Sequence, residues 1–452
     1  MRRALLSLLA FTLAASTALA QNPAVQPQDV RVPAKSNVPA PQSLKKAFPA
    51  GFPLGVGSGL AFLRKEKDGA LLFYAVTDRG PNTDSPRWLA GSDPRGESAK
   101  IFPAPGFHPS LALLRVKGGK ADLQRLAPLK SQDGKPVTGL PPAKGQAGST
   151  GEIPLDAALK PLPFDENGLD PEGVAVDQPR GSLWIADEYG PFLAEFDDRT
   201  FTLKRKLGPG AGLPSILAKR QPNRGFEGVC VTPSGKIVAA VQSILDTDGK
   251  VKDSQASFTR LVEFDPSTAR ARMLAYPLDT HAYRRTADAK IGDVAALSDT
   301  LFLVLEQGEG RDKALRTMLY LVDISTASSL PDLPLETTGM QGMTLARKWL
   351  VADLRGLGWS PEKAEGLALV DERTFALICD NDFGLTAEIS APATTKDGRT
   401  AAKPDDYTVG QDGTLHLEGK PVASRVILAP NGEKTKLWIV TMPKPFTDYI
   451  VK

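Results

Sequence analysis

Acidic and amide side chains recur at matching places around short apolar runs, and they are the main chemical resource of this sequence. Glu172 opens Glu172-Gly173-Val174-Ala175-Val176, Glu227 opens Glu227-Gly228-Val229-Cys230-Val231, and Glu365 opens Glu365-Gly366-Leu367-Ala368-Leu369. Asp293 stands at the start of a fourth such run, Gly292-Asp293-Val294-Ala295-Ala296. Asp78, Asp187, Glu188, Gln242, Glu306, Asp380 and Asn381 stand at the ends of the runs that follow. Two strands joined by a tight turn bring entry and exit to the same end, so both sets should converge on one rim.

Carboxylates crowded on a rim repel one another and retain protons unless cations neutralise them. An oxygen-only donor set suits a hard cation, and flexible sites with many ligands favour Ca²⁺ over Mg²⁺. The expected metal ligands are Asp78, Glu172, Glu227, Asp293, Glu306, Glu365 and Asp380. Asp187, Glu188 and Glu227 are the candidates for catalysis. Arg79, Tyr189, Arg224 and Asn381 are the candidates to hold a small anionic or ester substrate. A guanidinium at Arg79 could grip a phosphate or carboxylate with two parallel bonds, or simply pair with Asp78 or Glu365. Tyr189 could contact substrate or pack below the rim. The acids themselves have a plainer reading too, as strand-end caps or partners of Arg224 and Arg355.

Other chemistries find little support. The sequence has no G-x-S-x-G elbow, no H-E-x-x-H, no C-x-x-C and no phosphate-cradling G-x-x-x-x-G-K-[ST] loop. Its 3 histidines, His108, His281 and His416, are too few for a multi-histidine zinc site. His108 alone lies beside a long loop, Thr83 to Phe107, that follows the Asp78 strand end and should rise over the rim with Arg87, Arg95 and Lys100. A second long connection runs from Ser131 to about Asp170, and loops of such length are usually functional.

The elements that position the rim repeat five times. Ser58 to Phe62 leads to Leu71 to Asp78, and the runs opened by Glu172, Glu227, Asp293 and Glu365 each lead to a second apolar run. A third strand often follows, as in Leu193 to Asp197, Arg260 to Asp265 and Leu319 to Asp323. Repeats of three or four strands with almost no helix point to an all-β fold, a β-propeller, with small residues on the innermost strand around a central channel. Ser424 to Leu428 and Lys436 to Val440 are expected to finish a sixth blade with N-terminal strands; five or seven blades remain open. Short helices are expected at most over Pro154 to Leu159 and Leu213 to Lys219.

The 452-residue chain begins with Met1-Arg2-Arg3, an apolar run, and Ala18-Leu19-Ala20. Residues 1–20 read as a secretory signal peptide, and 21–50, rich in Pro and Ala, as a tether or surface arm. Residues 51–452 are assigned to the propeller. Removing the leader's two arginines lowers the formal charge from +3 to +1, which favours neither nucleic acid nor an anionic membrane as partner. The expectation is a secreted or periplasmic monomer without a membrane span. Cys230 and Cys379 lie inside apolar runs of different repeats and read as two buried thiols rather than a disulfide.

Several of these segments together resemble a known family. Thr77-Asp78-Arg79-Gly80-Pro81-Asn82, Pro171-Glu172-Gly173-Val174-Ala175, Ala186-Asp187-Glu188-Tyr189-Gly190-Pro191-Phe192, Asn223-Arg224-Gly225-Phe226-Glu227-Gly228 and Ala364-Glu365-Gly366-Leu367-Ala368 are similar to motifs of the bacterial phytase-like family, often called esterase-like proteins of the phytase family. The resemblance runs in order from about Gly55 to Met442. It implies an exported propeller related to calcium-dependent β-propeller phytases, in which several Ca²⁺ ions at an acidic mouth bind substrate phosphate and activate water. The expected function is therefore a Ca²⁺-dependent phosphoric-ester hydrolase. A lactonase- or carboxylesterase-type hydrolase with a single central metal, and a non-catalytic binding propeller, are the alternatives.

Overall fold

The computed structural model describes residues 22–451 apart from Ala90 and Ser92, so the leader at 1–20 lies outside the described residues. Each repeat folds as the sequence pattern demands, into a meander of antiparallel strands. Blade one holds Gly59–Lys65, Leu71–Val76, Ser110–Lys117 and Lys120–Pro128 in that order. Blade two holds Pro171–Asp177, Ser182–Asp187, Phe192–Asp197 and Leu203–Pro209, extended by the short Gly212–Leu213. Blade three runs Phe226–Val231, Ile237–Val241, Phe258–Asp265, Arg270–Pro277, and blade four Lys290–Ala296, Leu301–Glu309, Leu315–Asp323, Arg347–Asp353. The second strand of blades two, three and five is buried on both faces, as expected of a strand packed between neighbouring blades.

Among the described residues there are five blades, not six. Gly366–Leu369 and Thr374–Cys379 begin the fifth, Lys436–Thr441 pairs with Thr374–Cys379, and the N-terminal strand Ala24–Arg31 adds outside Lys436–Thr441. The segment from Ser424 expected to help finish a sixth blade instead pairs as Arg425–Pro430 with Leu385–Ser390 in a separate two-stranded ribbon. Nor do the described residues 22–50 form a free tether; they lie along the propeller as an arm. Ala24–Arg31 also runs parallel to Lys120–Asp122 of blade one, so a single strand joins the first and last blades. Val38, Ala40 and Phe48 pack into the core beneath it. Its side chains are mostly exposed, so no hydrophobic pattern marks the strand; its backbone groups make the bond.

Small residues on the inner strands let the blades meet at the axis. A Cβ on Gly59 would stand 2.6 Å from Gly173 Cα, one on Gly173 3.0 Å from Gly228 Cα, and one on Gly366 2.9 Å from the Leu60 nitrogen. Blade four breaks the pattern with Asp293 at the glycine position. Its carboxylate accepts from Val294 N at 2.7 Å and Leu367 N at 2.6 Å, which ties blade four to blade five and closes the ring.

Of the two expected helices, Leu213 to Lys219 becomes a 3₁₀ turn at Ser215–Lys219, while Pro154 to Leu159 begins in the strand Ile153–Leu155. That strand joins Thr83–Asp84 and Ala99–Ile101 in a small accessory sheet, and Arg87–Trp88 pairs with Thr408–Val409 in another. Cys230 and Cys379 are free and buried. No helix among the described residues is long and apolar enough to cross a membrane.

Candidate functional site

The rim is built by β-bulges. In blade two the register slips between Pro171 and Gly173, leaving Glu172 unpaired; Glu227 in blade three and Gly292 in blade four occupy the same slip. A bulge re-aims its extra residue, here away from the ladder and onto the mouth. Glu365 precedes the inner strand of blade five, its N–H bonded to Ile378 O at 3.0 Å. Asp293 therefore does not belong to this set. It lies one residue further in, at the axis and 2% exposed, and blade four contributes Gly292 to the rim instead.

The second strands supply a matching outer ring. Val76, Ala186, Ala240, Leu305 and Ile378 pair with the five axial positions, so Asp78, Glu188, Gln242, Gln307 and Asp380 stand two residues beyond them. Side chains alternate along a strand, so Asp187 and Glu306, one residue earlier, face away. Asp187 accepts from Asp170 N at 3.2 Å and Tyr189 N at 2.9 Å and is fully buried. Glu306 is held by Lys348 Nζ at 2.6 Å and Tyr276 O–H at 2.8 Å, between blades. The structure thus sets both side chains off the mouth, in contacts between strands and blades, rather than in the ring expected of them. Tyr189 likewise packs below the rim, its hydroxyl donating to Gly139 O at 2.6 Å. Asn381, 6% exposed, does not line the cavity at the mouth, nor does Asp380.

The mouth opens into a cavity of about 550 Å³. Glu172, Glu188, Glu227 and Glu365 line it together with Gln242 and Gln307. So do Arg79, Lys100, Arg224, Arg284, Arg285, Lys290 and Lys363, which makes the mouth zwitterionic rather than purely acidic. Lys100 comes from the long loop as expected. Arg87 bonds Arg95 O at 2.7 Å, Arg95 pairs with Asp93, and His108 bonds Val137 O at 2.9 Å, so these three do not line it. Lys290, Lys363 and Asp170 escaped the sequence reading, yet all stand two residues before the rim position of their blade (Gly292, Glu365 and Glu172), at the place Gly225 takes in blade three.

Two clusters divide the carboxylates. Asp78, Asp170 and Glu172 bring one oxygen each to within 4.8 Å of one another. Asp170 is 1% exposed and neither of its oxygens has a hydrogen-bond partner, although Arg79 Nη1 approaches to 3.1 Å. Burial and then Asp170 push the Asp78 carboxyl well up; burial and then Glu227 do the same to Glu172; burial, opposed by Arg79, lifts Asp170 to about 6. The two orphaned oxygens of buried Asp170, flanked by the partly buried carboxyls of Asp78 and Glu172, fit a hard cation, since a positive charge or a proton can satisfy them. In the second cluster Gln242 Nε2 donates to Glu188 at 3.2 Å and also to Glu227. Glu188 is pushed up to about 8 by burial and by Glu227. Glu227 reaches about 8 by burial, with Lys290 pulling against Glu365. Burial and Glu365 raise Asp380, while Glu365 itself contacts Lys363 at 3.1 Å.

Fold and rim together define an all-β propeller with a charged, cavity-forming mouth. The phytase-like family described by "Esterase-like activity of phytase" matches residues 53–383, and the chain belongs to that family. An "Uncharacterized secreted protein" of Arthroderma benhamiae is 26% identical over 314 residues, covering 58% of this chain. The chain spans 60% of the length of that relative. Among solved structures, a periplasmic gluconolactonase of Pseudomonas aeruginosa is similar at 11% identity and a TM-score of 0.30, covering 82% of this chain and 88% of its own. A protein of unknown function from Dyadobacter fermentans gives 12% and 0.31, covering 85% and 76%. A GH62 α-L-arabinofuranosidase catalytic domain from Coprinopsis cinerea gives 11% and 0.34, covering 92% and 97%. The architecture rests on the chain's own strand order.

Proposed function

We propose that this chain is an exported, Ca²⁺-dependent hydrolase of phosphoric esters that works at the propeller mouth. The observation that carries the reading is the Asp78–Asp170–Glu172 cluster, in which buried Asp170 has two unpartnered oxygens, beside a wall of arginines and lysines. The three carboxyls would hold the ion, which supplies charge for a phosphoryl oxygen and a lowered pKa for bound water. Arg224 and Lys290 would seat the anion on the opposite side of the cavity. Arg224 is already oriented by Ser243 Oγ at 3.0 Å and Ala287 O at 2.6 Å. Glu188 and Glu227, bridged by Gln242, would keep one proton between them and deliver it to the departing oxygen. Export is supported by the relative described as secreted and by the leader-like residues 1–20.

The family's description as esterase-like favours a second reading, hydrolysis of carboxylic esters or lactones at the same site. A panel of aryl phosphates, aryl acetates and lactones, assayed in EDTA and in calcium, separates them. Calcium-dependent phosphate release supports the first reading, and turnover of lactones or acetates alone selects the second. Thermal stabilisation by calcium without any turnover would leave a binding propeller and overturn both.

A further inference from the structure

One residue at the mouth is placed in two incompatible roles. Asp170 is needed by the acidic cluster, yet its nearest cationic group is Arg79 Nη1 at 3.1 Å. Arg79 also lines the cavity where an anion would sit, and it is 8% exposed. Its guanidinium lies between the rings of Phe102 and Tyr189, 5.7 and 5.6 Å from their centroids. Stacking of that kind restrains the plane but leaves the group free to turn within it. Its other contacts are loose: its bonds to Asn223 and Asn82 are long, 3.4 Å each, and Nε, 4.0 Å from Asp78 Oδ1, has no hydrogen-bond partner. A second seat is close by. Glu152 Oε2 lies 4.0 Å from the same Nη1, is buried, and has no hydrogen-bond partner.

We propose that Arg79 is a counter-ion switch, occupying Asp170 until a divalent cation displaces it and then turning to Glu152 and to the anionic group of the substrate. The proposal rests on the metal reading of the Asp78–Asp170–Glu172 cluster. A cation on Asp170 repels the guanidinium, and an anion that draws the guanidinium off Asp170 uncovers a ligand for the cation. The two ligands therefore assist each other through one side chain, and the assistance must be equal in both directions. Arg79 is in this sense a positioning residue that makes the site bind anion more tightly when it is loaded with metal.

Calorimetric titration of the full chain with CaCl₂, with and without inorganic phosphate below its calcium solubility limit, tests this. Wild-type protein should bind calcium about tenfold more tightly with phosphate present, within the usual range of coupling between sites. Arg79→Gln should bind calcium about tenfold more tightly than wild type without phosphate, and should lose most of the phosphate effect. Lys363→Gln, which removes a neighbouring charge that does not touch Asp170, should tighten calcium less than Arg79→Gln does. A calcium-loaded crystal structure of the wild type, which needs no variant to fold, should show Arg79 off Asp170. If Arg79 remains in contact with Asp170 in that structure, or Arg79→Gln leaves calcium affinity unchanged, the switch is overturned while the metal site stands. If the wild type takes up no calcium and Asp170→Asn changes nothing, the site reading falls and takes the switch with it.

Discussion

On the proposed calcium reading, the metal-free protein should be less stable in alkali than in acid, and the sign follows from the carboxyl pKa values. Asp170 moves from 3.8 to about 6, and Glu188 and Glu227 from 4.5 to about 8. Below the ordinary values both folded and unfolded chains hold these protons. Between the ordinary and the raised values only the folded chain does, so stability falls as pH rises through each window. At about 1.4 kcal/mol per pH unit, the loss is about 3 kcal/mol for Asp170 and about 4–5 kcal/mol for a proton shared by Glu188 and Glu227. Calcium needs the deprotonated carboxylates, so it should return stability where the metal-free protein has lost it. At 100 times its dissociation constant it contributes about 2.7 kcal/mol. With an unfolding entropy of about 2.1 cal/mol/K per residue, that is a rise of roughly 3 °C for a chain of this length. The assay is thermal unfolding in EDTA and in calcium at about pH 5, 6.5 and 8. The EDTA midpoint should drop with pH, and the calcium increment should grow. An increment that is equal at all three pH values, or unchanged in Asp170→Asn, refutes the reasoning.

Other outcomes follow from the fold. Asp293→Ala should cost about 3 kcal/mol in urea unfolding, since it strands buried N–H groups of blades four and five; a loss under about 1 kcal/mol would show the axis closes without it. Deleting residues 22–31 should uncover the free edges of Lys120–Pro128 and Lys436–Thr441, giving a lower unfolding midpoint and concentration-dependent association by light scattering. Cys230 and Cys379 should react with a thiol reagent only after denaturation, and reaction of either in the native protein would contradict their burial.

Much of this was legible in the sequence because a propeller repeats itself. The acid–glycine pair fixed Glu172, Glu227 and Glu365 on the rim, and strand alternation applied with care separates Glu188 from Asp187. The misplacement of Asp293 has a simple origin: Gly292-Asp293 reverses the order of Glu227-Gly228, and only the bulge register reveals which residue faces the axis. The blade count failed for a different reason. Ala24–Arg31 is held by main-chain bonds and carries no side-chain period, so the strand that completes blade five was invisible. Two lysines of the cavity wall were missed because they precede the motif: Lys290 and Lys363 are alike only in their offset from the rim position of their blade.

The strand that closes the ring also sets the order of assembly. Ala24 lies opposite Thr441, so the last blade cannot be completed until segments from far apart along the chain have met. The entropy of closing so long a loop grows only as the logarithm of its length, which makes the finished ring thermodynamically inexpensive. The rate is another matter, because folding slows as contacts become more remote in sequence. Blades two to four are built from local meanders and can form early, while the first and last wait with their edges open. A chain made from its N-terminus must therefore keep Ala24–Gln28 unpaired until its partner strand Lys436–Thr441 arrives. That interval, rather than the stability of the closed ring, is when the protein is most exposed to mispairing with another copy.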